Sequence, residues 1–463
     1  MLFGAISTGI IFLCAEGTLR QIQAEFYHPH RGTPADLVEA VAAMGWEPNA
    51  ADRRLLRTDP KTLWAPVPGF EDTLPSYVAG GAPWTVKIGA HGFRGLPLSE
   101  DRDDGRPRIA CVGNSCTFGL LVDEGRTYPD QLRQWLRERG HDVDVASFSV
   151  PGFTSEQGKI LLRDSVLPHG PDIVVIAFGF NDAWPALESD EARLNRHRSA
   201  SGRVRRVLET LESFRLLEYA LRGRGPSAAR APDTPGTRVP TDRMTANLRD
   251  MIAACRASGA TPILLGLDFR SGDRVPQLES VARSEGVPFL DARPLLAGIA
   301  PPLPNLPTLF RDRRDGEGPH ETVVFEVSVP SHIERPISIV GTAPGLGGGR
   351  PGTVLVPDDG VPPDSEAGDG IHTLRTTLVM GDTIRFAYQA GAEPGSWAGL
   401  ESPATCREWV AEAGRIRHRF ATLPVMAEPI HPSATGYIGV ALAVGSLLED
   451  QFLMPVAPSA LDE

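Results

Sequence analysis

The sequence has few cysteines and no long basic block, and each shortage excludes a class of protein. The five cysteines among 463 residues are odd in number and lack metal-ligand spacing, so neither a disulfide framework nor a zinc site is predicted. The formal net charge of -12 argues against nucleic acid as a partner, because clustered Lys and Arg are needed to displace counterions. The Arg-rich stretch 193–206 is the local exception, and we interpret it as a solvated segment.

The amino terminus also lacks a full-length membrane span. Its apolar run from Leu2 to Ala15 is shorter than the roughly 20 residues that a spanning helix needs, and it has no basic flank or obvious cleavage site. Three interpretations remain open: a signal-anchor whose first residues are missing from this chain, an uncleaved secretory signal, and a buried or interfacial helix. The first is favoured. We therefore expect residues 1–20 to be a membrane tether and the rest of the chain to be extracytoplasmic, in a bacterial-type cell envelope.

The hydrophobic content of 41% is enough to bury a core in two or three domains. Residues 21–106 are punctuated by Pro and Gly and have weak periodicity, which predicts an irregular lead-in draped over a core. Over 107–300, short apolar runs alternate with segments of helical spacing. This alternation predicts an α/β fold with a doubly wound, three-layer parallel sheet, in which function gathers at the carboxyl ends of the strands.

The periodicity changes after Pro301. Residues 318–400 contain β-branched runs separated by Gly, Pro and Asp turns, which predicts an inserted antiparallel β-sandwich module. Helical sequence is expected again at 406–420. The simplest organisation is an α/β domain formed by 107–300 and 404–455 and interrupted by this module, since surface loops accept insertions of that size.

Four short polar pieces fall at the ends of predicted elements, three after strands and one before the last helix. They are Gly113-Asn114-Ser115, Val150-Pro151-Gly152-Phe153, Gly179-Phe180-Asn181-Asp182 and Glu428-Pro429-Ile430-His431-Pro432. In this order they resemble the SGNH (GDSL-type) hydrolase family, in which a Ser, a Gly, an Asn and a His from four such blocks form the site. The resemblance covers about half of the chain and implies a flavodoxin-like α/β fold and a serine hydrolase.

The chemistry of these residue types agrees with that resemblance. Ser115 is the expected nucleophile on a strand-to-helix turn, and His431 is the expected base. The N–H groups of Ser115 and Gly152 and the amide of Asn181 would donate to the oxyanion of the tetrahedral intermediate. Taken singly, the glycine could merely make a turn and the asparagine merely cap a helix. Cys116 is a rival nucleophile, but a side chain one position along points away, so a packing role is expected.

Two positions depart from the family pattern. Asn114 stands where GDS has an aspartate, and it can keep the side-chain hydrogen bonds to nearby backbone. Glu428 stands three residues before the histidine, where the family has the aspartate that orients the imidazole. We expect it to act as the third catalytic residue with weaker support, because its extra methylene requires the loop to shift. Asp182 and Asp291 also lie near strand ends, with no reason to prefer either.

The segment VLVPDDGVPPDSEAGDGIHTLRTT resembles a loop and hairpin of bacterial Ig-like and starch-binding-like sandwiches. Its acidic residues, Asp358, Asp359, Asp364, Glu366 and Asp369, could bind calcium, but Asp and Gly turns are common in hairpins without metal. The second interpretation is favoured, so no metal is predicted, and Asp359, Asp364 and Asp369 are the secondary candidates. Trp397 is expected in a core or interface rather than as a sugar-stacking platform.

These patterns predict a serine esterase without a cofactor. Its expected reaction is hydrolysis, or transfer, of an O-acyl group, and the favoured substrate is an acetyl ester on a carbohydrate or cell-envelope glycan. The expected partner is an acylated small molecule or glycan, and no nucleic acid. The alternatives are a lipase or thioesterase of the same family, and a non-catalytic glycan-binding or assembly protein that keeps the fold.

Overall fold

A computed structural model describes most of the chain. The described residues are 34–42, 54–77, 81–99, 105–208, 211, 213–214, 236–267, 274–296, 306–310, 318–331, 333, 335–391, 394–395, 400–401, 406–420 and 432–453. The expectations for the tether at 1–20, for Trp397, for Glu428 and for His431 lie outside them. Across these ranges, no helix is long and apolar enough to cross a membrane.

Helices and strands alternate through the first half of the described chain, and strands dominate the second half. The α-helices are α1 (Ala35–Ala42), α2 (Ser115–Phe118), α3 (Tyr128–Glu138), α4 (Ser155–Leu161), α5 (Asp190–Arg198), α6 (Ala200–Leu208), α7 (Thr241–Ala257), α8 (Val275–Glu285), α9 (Arg293–Leu296) and α10 (Ala434–Gln451). The strands are β1 (Leu56–Asp59), β2 (Leu63–Pro66), β3 (Glu71–Leu74), β4 (Trp84–Lys87), β5 (Arg108–Gly113), β6 (Asp144–Ser149), β7 (Ile173–Ala177), β8 (Pro185–Ala186), β9 (Gly236–Thr237), β10 (Thr261–Gly266), β11 (Phe289–Asp291), β12 (His320–Ser328), β13 (Ile337–Gly341), β14 (Val354–Leu355), β15 (Ile371–Val379), β16 (Thr383–Ala390), β17 (Arg407–Val410) and β18 (Gly414–Arg419).

The chain divides into two compact units. The first comprises Met1–Gly125 and Val143–Phe289, and the second comprises Arg126–Asp142 and Leu290–Glu463. The central sheet has the strand order β6-β5-β7-β10-β11. The pairs β5–β6, β5–β7 and β7–β10 are parallel. This is the flavodoxin-like order, so the predicted doubly wound α/β fold is confirmed.

The strands of this sheet are short and apolar because both of their faces are covered. Every residue of β5, β6 and β7 is buried, as expected for parallel strands flanked by helices. In the first unit, α7 packs against β10, α4 and α8. Arg193, in the stretch expected to be solvated, is 2% exposed and donates to the backbone oxygen of Asp36 at 2.9 Å, so the solvated interpretation is wrong at that position.

The lead-in is more regular than its sequence predicts. β1 pairs with β2 and β3 pairs with β4 as two antiparallel ribbons. The first ribbon is fixed to the α/β core of its unit, because Gln157 Nε2 donates to the backbone oxygen of Thr62 at 2.7 Å. The weak periodicity of this segment arises because each strand is only four residues long.

In the second unit, two sheets share one hydrophobic core. One sheet has the order β15-β12-β18 and the other has the order β14-β13-β16-β17. All the pairs are antiparallel except β12–β18, which is parallel. Inward-facing residues of both sheets form the core, including Val323, Phe325, Val327, Ile337, Ile339, Leu378, Ile384, Phe386 and Tyr388. The proposed kinship with Ig-like or starch-binding-like sandwiches stays a prediction.

The helix expected at 406–420 is wrong. β17 pairs with β16, and β18 pairs with β12, so both segments belong to the two sheets. His418 of β18 lies against the core, where the Tyr388 hydroxyl is 2.9 Å from its Nδ1. Pairing with buried strands overrides the helix propensity of the Glu, Ala and Arg residues. The sheets therefore extend to Arg419, beyond the boundary expected at 400.

A helix pair completes the second unit. α3 and α10 pack together, with the Tyr128 and Tyr437 rings 6.4 Å apart. A Cβ atom on Gly445 would lie 2.4 Å from the Trp135 ring, so this glycine permits the close approach of the helices. The buried Arg385 guanidinium joins α3 to β16, because its Nη1 is 3.0 Å from Glu138.

Candidate active site

The three expected blocks of the first unit meet at one edge of the sheet. Gly113, the last residue of β5, is in register with both Ser149 at the end of β6 and Ala177 at the end of β7. Ser115, Gly152 and Asn181 follow these three aligned ends. The edge between β5 and β7 is the switch point of a 2-1-3-4-5 sheet, where such folds bind their ligands.

The turn after β5 carries Ser115, the expected nucleophile, and close contacts on either side of this residue fix it. A Cβ atom on Gly113 would lie 2.1 Å from Thr117 Oγ1 and 2.8 Å from the backbone oxygen of Ala177, so only glycine fits there. Asn114 caps α2, since its Oδ1 accepts the N–H of Cys116 at 3.0 Å. The amide oxygen thus makes a cap contact of the kind expected for an aspartate in GDS. Ser115 is the first residue of the helix.

Cys116 is not placed as a competing nucleophile. It is 2% exposed, as the expected packing role requires. Its backbone N–H donates to Asn114 Oδ1 in the turn.

Gly152 adopts a backbone conformation that favours glycine. Its φ is +79°, and a Cβ atom there would lie 3.2 Å from Trp64 Cζ2. Trp64 Nε1 donates to the backbone oxygen of Pro151 at 2.9 Å. The peptide group that contains this oxygen also contains the Gly152 N–H, and the peptide is planar. The indole of Trp64 therefore orients the N–H that is expected to bind the oxyanion.

The peptide on the other side of Gly152 is also held. The buried Arg238 guanidinium donates from Nη1 to the Gly152 oxygen at 2.8 Å. It also pairs with Asp190 through Nε at 3.1 Å and Nη2 at 2.7 Å, with both side chains fully buried. A buried ion pair needs such complete hydrogen bonding to offset the cost of desolvation. The backbone on both sides of Gly152 is therefore fixed by hydrogen bonds from side chains distant in sequence.

Asn181 lies at the start of a 3₁₀ turn (Asn181–Ala183) and is 1% exposed. Its Nδ2 donates to the backbone oxygen of Phe153 at 2.7 Å, which links the block after β7 to the block after β6. An amide nitrogen has two N–H donors. One holds the neighbouring loop, and the oxyanion contact expected from the sequence would use the second.

Neither acid that was left open in the sequence is a free base. Asp182 is fully buried and accepts hydrogen bonds from both the N–H and the hydroxyl of Ser155. Burial raises the pKa of Asp182 to about 7, against the lowering effect of those hydrogen bonds. Asp291 is engaged by the Arg293 guanidinium at 2.9 and 2.7 Å. The base and the acid of the resemblance, His431 and Glu428, remain predictions because both lie outside the described residues.

Sequence reasoning did not identify Trp64 or Arg238. Trp64 stands in the Pro- and Gly-punctuated lead-in, 87 residues from the Pro151 oxygen that it binds. Arg238 is 86 residues from Gly152. The one usable signal was a Trp within a weakly periodic segment, since a buried indole N–H needs an acceptor.

Comparisons with known proteins find similarity to esterases and acylhydrolases over part of the chain. Residues 111–309 match the model of the family described as "GDSL-like Lipase/Acylhydrolase family". A stretch of 75 residues is 32% identical to an arylesterase from Vibrio mimicus and covers 16% of this chain. The chain spans only 38% of the length of that curated relative.

Solved structures of such enzymes are also similar to part of the chain. A lipase/acylhydrolase from Enterococcus faecalis is 19% identical with a TM-score of 0.28, over 44% of this chain and 83% of that one. A catalytic mutant of Axe2, an acetylxylan esterase from Geobacillus stearothermophilus, is 17% identical with a TM-score of 0.25, over 42% and 78%. These TM-scores are too low to identify a fold. The fold class is therefore inferred from the strand order of the central sheet. Residues 111–309 thus combine a match to the GDSL-like lipase/acylhydrolase family model with strands of the α/β sheet described above.

Proposed function

We propose that this chain is a serine esterase that cleaves an O-acyl group. The observation that carries the proposal is the alignment of Ser115, Gly152 and Asn181 after three neighbouring strands, with the backbone of Gly152 held from both sides. Preorganised donors that need not reorient during the reaction are the main source of rate in acyl transfer. A loop that served only as a turn would not require this much support.

In the proposed reaction, Ser115 Oγ adds to the ester carbonyl carbon while its proton passes to His431. The carbonyl oxygen becomes an oxyanion and accepts from Ser115 N–H, Gly152 N–H and Asn181 Nδ2. The bond to the alkoxy group then breaks, and that oxygen takes the proton from the imidazolium. Water, activated by the same imidazole, releases the acyl group from Ser115. If a sugar hydroxyl replaces water in this step, the enzyme transfers the acyl group instead.

The substrate proposed is an acetyl ester on a carbohydrate or cell-envelope glycan. Two features support it: the expected extracytoplasmic, tethered location, and the two-sheet module of the second unit with its resemblance to sugar-associated sandwiches. The bound partner would then be an acylated glycan or a small acylated sugar. A lipase or thioesterase of the same fold would prefer longer acyl chains, which a chain-length series tests directly.

The test of the chemistry is hydrolysis of p-nitrophenyl acetate, butyrate and octanoate. Ser115→Ala is expected to lower kcat by at least about 10³-fold, because removal of the nucleophile leaves only binding and oxyanion stabilisation. Cys116→Ala is the matched control, since it changes the adjacent buried residue. Fluorophosphonate labelling is expected in wild type and in Cys116→Ala, and not in Ser115→Ala. No turnover above the Ser115→Ala background, together with no labelling of wild type, would exclude an esterase and leave the glycan-binding alternative.

The third catalytic residue is tested in the same assay. His431→Ala is expected to reduce kcat nearly as much as Ser115→Ala, whereas Glu428→Ala is expected to cost less, because the acid only orients and stabilises the imidazole. An equal fall in kcat in both variants would show that Glu428 is a full triad member. Acetate release from acetylated xylan or acetylated peptidoglycan, compared with the p-nitrophenyl series, tests the proposed substrate class. Failure on every acetylated glycan, with rapid octanoate hydrolysis, would favour the lipase alternative.

A further inference from the structure

The sheet of order β15-β12-β18 in the second unit has one face that does not belong to the hydrophobic core. Val323, Phe325 and Val327 of β12 point into the core that the two sheets share. Successive side chains of a strand point to opposite faces of its sheet. Val324 and Glu326 of the same strand therefore lie on the outward face, and both are only partly buried.

This outward face carries a set of exposed arginines from the two strands that flank β12. The residues in register with the outward positions of β12 include four of them, which are Arg375 of β15 and Arg415, Arg417 and Arg419 of β18. Alternate residues of a strand lie about 7 Å apart, so the three arginines of β18 form a line about 14 Å long. The fourth begins two strand spacings away, about 10 Å across the sheet.

The face has an excess of positive charge. Glu326 is the acidic residue on this face of the three described strands, and it contacts both Arg415 and Arg417. Arg417 donates from Nε to Glu326 at 2.6 Å, yet its side chain is 77% exposed. A guanidinium has five N–H donors, so one carboxylate leaves most donors of these two residues for another anion.

The aspartates of the loop before β15 are held by hydrogen bonds within that loop. Asp359, Asp364 and Asp369 each accept the backbone N–H of a nearby loop residue, at 2.7–3.0 Å. Contacts of this kind are typical of Asp in turns. We therefore infer no metal site from these residues, and Glu326 is the acid that meets the arginines of the sheet.

Protection of an exposed sheet edge does not explain four charges of one sign. β18 is an edge strand, and charged side chains keep such strands from pairing with another chain. Charges of either sign serve this purpose, and β17, at an edge of the other sheet, carries both Arg407 and Glu408. A set of four cations is better explained by a negatively charged ligand.

The charge of the whole chain limits the shape of that ligand. The formal net charge is -12, so a broad anionic surface, such as a membrane or a nucleic acid duplex, would bring many acidic groups of the protein within the Debye length of about 8–10 Å. A single flexible polymer can lie across the three strands alone. Guanidinium groups match the geometry of carboxylate and phosphate, with two parallel hydrogen bonds to each anionic group.

We propose that the outward face of β15-β12-β18 binds an acidic glycan, whose carboxylate or phosphate groups pair with Arg375, Arg415, Arg417 and Arg419. The choice of a glycan over an acidic peptide rests on the proposed function, which gives the enzyme a glycan substrate. The surface itself uses no residue of the Ser115 loops. It would hold the second unit of the protein on an anionic polymer.

Binding is measured on the full chain by fluorescence anisotropy with labelled fragments of polygalacturonate, which carries one carboxylate per sugar. Dextran fragments are the uncharged control and are expected not to bind. Neutralisation of about three charges releases counterions, so the affinity for polygalacturonate is expected to fall roughly tenfold between 50 and 200 mM NaCl. Ser115→Ala is expected to bind as wild type does, so failure of the esterase reaction and failure of this surface are separate results.

Substitutions on the face change its charge without touching the core. Arg417→Gln is expected to weaken binding at least about threefold, and the triple change of Arg415, Arg417 and Arg419 to Gln is expected to abolish it. Arg283→Gln is the matched control, because Arg283 is also exposed and paired with one acid, Glu279, but lies on α8 of the first unit. It is expected to bind as wild type does.

Glu326→Gln gives the opposite sign. It keeps the shape of the side chain and removes the one negative charge of the face, so binding is expected to tighten about threefold. The proposal is overturned if polygalacturonate does not bind wild type, if Arg417→Gln and Arg283→Gln bind equally, or if Glu326→Gln binds no more tightly than wild type. Tighter binding to polyglutamate or to phosphatidylglycerol vesicles would also overturn it, in favour of an acidic peptide or a membrane.

Discussion

At the scale of single residues, the proposed oxyanion donor at Gly152 is positioned by a tryptophan that lies outside the matched segment. Trp64 precedes residues 111–309, yet its indole N–H sets the orientation of the Pro151–Gly152 peptide. The sequence motif identifies the donor but does not show what holds it. Any alignment limited to the four blocks will therefore miss a residue on which the proposed oxyanion site rests.

Trp64→Phe tests this dependence, because phenylalanine keeps most of the ring and removes the N–H. We expect kcat for p-nitrophenyl acetate to fall about tenfold with KM little changed. Loss of a complete oxyanion donor lowers kcat about 10²–10³-fold, whereas this substitution only loosens the orientation of the donor. Trp84→Phe is the matched control: Trp84 is also buried, and its Nε1 has no partner. Equal losses in both variants, or a change confined to KM, would argue against a positioning role.

Asp182 makes stability depend on pH. Burial holds its pKa at about 7, whereas its usual value is 3.8. Between these pH values the folded state keeps a proton that the unfolded state has released, so the free energy of unfolding falls as pH rises from about 4 to about 7. Asp182→Asn is expected to flatten this dependence.

Urea denaturation at pH 5 and pH 8 measures the effect. The difference in unfolding free energy between the two pH values is expected to be smaller in Asp182→Asn than in wild type. Asp291→Asn, a change at the half-buried partner of Arg293, is the control and is expected to keep the wild-type difference. The same pH dependence in wild type and in Asp182→Asn would contradict the assignment of the raised pKa.

At the scale of elements, the local sequence pattern was sufficient to predict a helix or strand where end signals or a uniformly apolar run marked it. One of the segments of helical spacing within 107–300 is α8, which a Pro at its start and Gly286 at its C-cap bound. β7 is one of the short apolar runs within 107–300 on which the predicted sheet rests, and all of its residues are apolar. The failure at 406–420 has a physical reason: residues of good helix propensity pair with strands distant in the chain. No local pattern contains that information.

The contact between α3 and α10 gives a prediction at the same scale. In an ordinary helix interior, Gly→Ala stabilises by roughly 0.5–1 kcal/mol. At Gly445 the new Cβ would lie 2.4 Å from the ring of Trp135, which is 3% exposed and cannot move freely. Overpacking of this kind costs about 1–3 kcal/mol. Gly445→Ala is therefore expected to lower the free energy of unfolding.

A double-mutant cycle identifies the cause. Trp135→Leu removes the ring, so adding Gly445→Ala to it is expected to be neutral or stabilising, which gives a favourable coupling energy of about 1–3 kcal/mol by chemical denaturation. Additive effects of the two substitutions would show that the helices separate at no cost and would contradict the packing argument.

At the scale of the whole molecule, the sequence predicted the α/β sheet and placed Ser115, Gly152 and Asn181 at its carboxyl edge. It did so because parallel strands bring their ends together whatever the length of the connections. It could not predict Trp64 or Arg238, whose roles arise from contacts between loops that no periodicity relates. The roles of His431 and Glu428 stay predictions from their motif, because both residues lie outside the described ranges.

The assignment of Arg126–Asp142 to the second unit has a consequence for how the chain can be divided. These residues lie in sequence between β5 and β6 of the first unit, and their partner α10 comes some three hundred residues later. A fragment that stops before residue 290 would keep α3 but leave Tyr128 and Trp135 without the helix that buries them. Expression of the amino-terminal half alone would thus expose an aromatic surface, and neither unit can be obtained by a single cut.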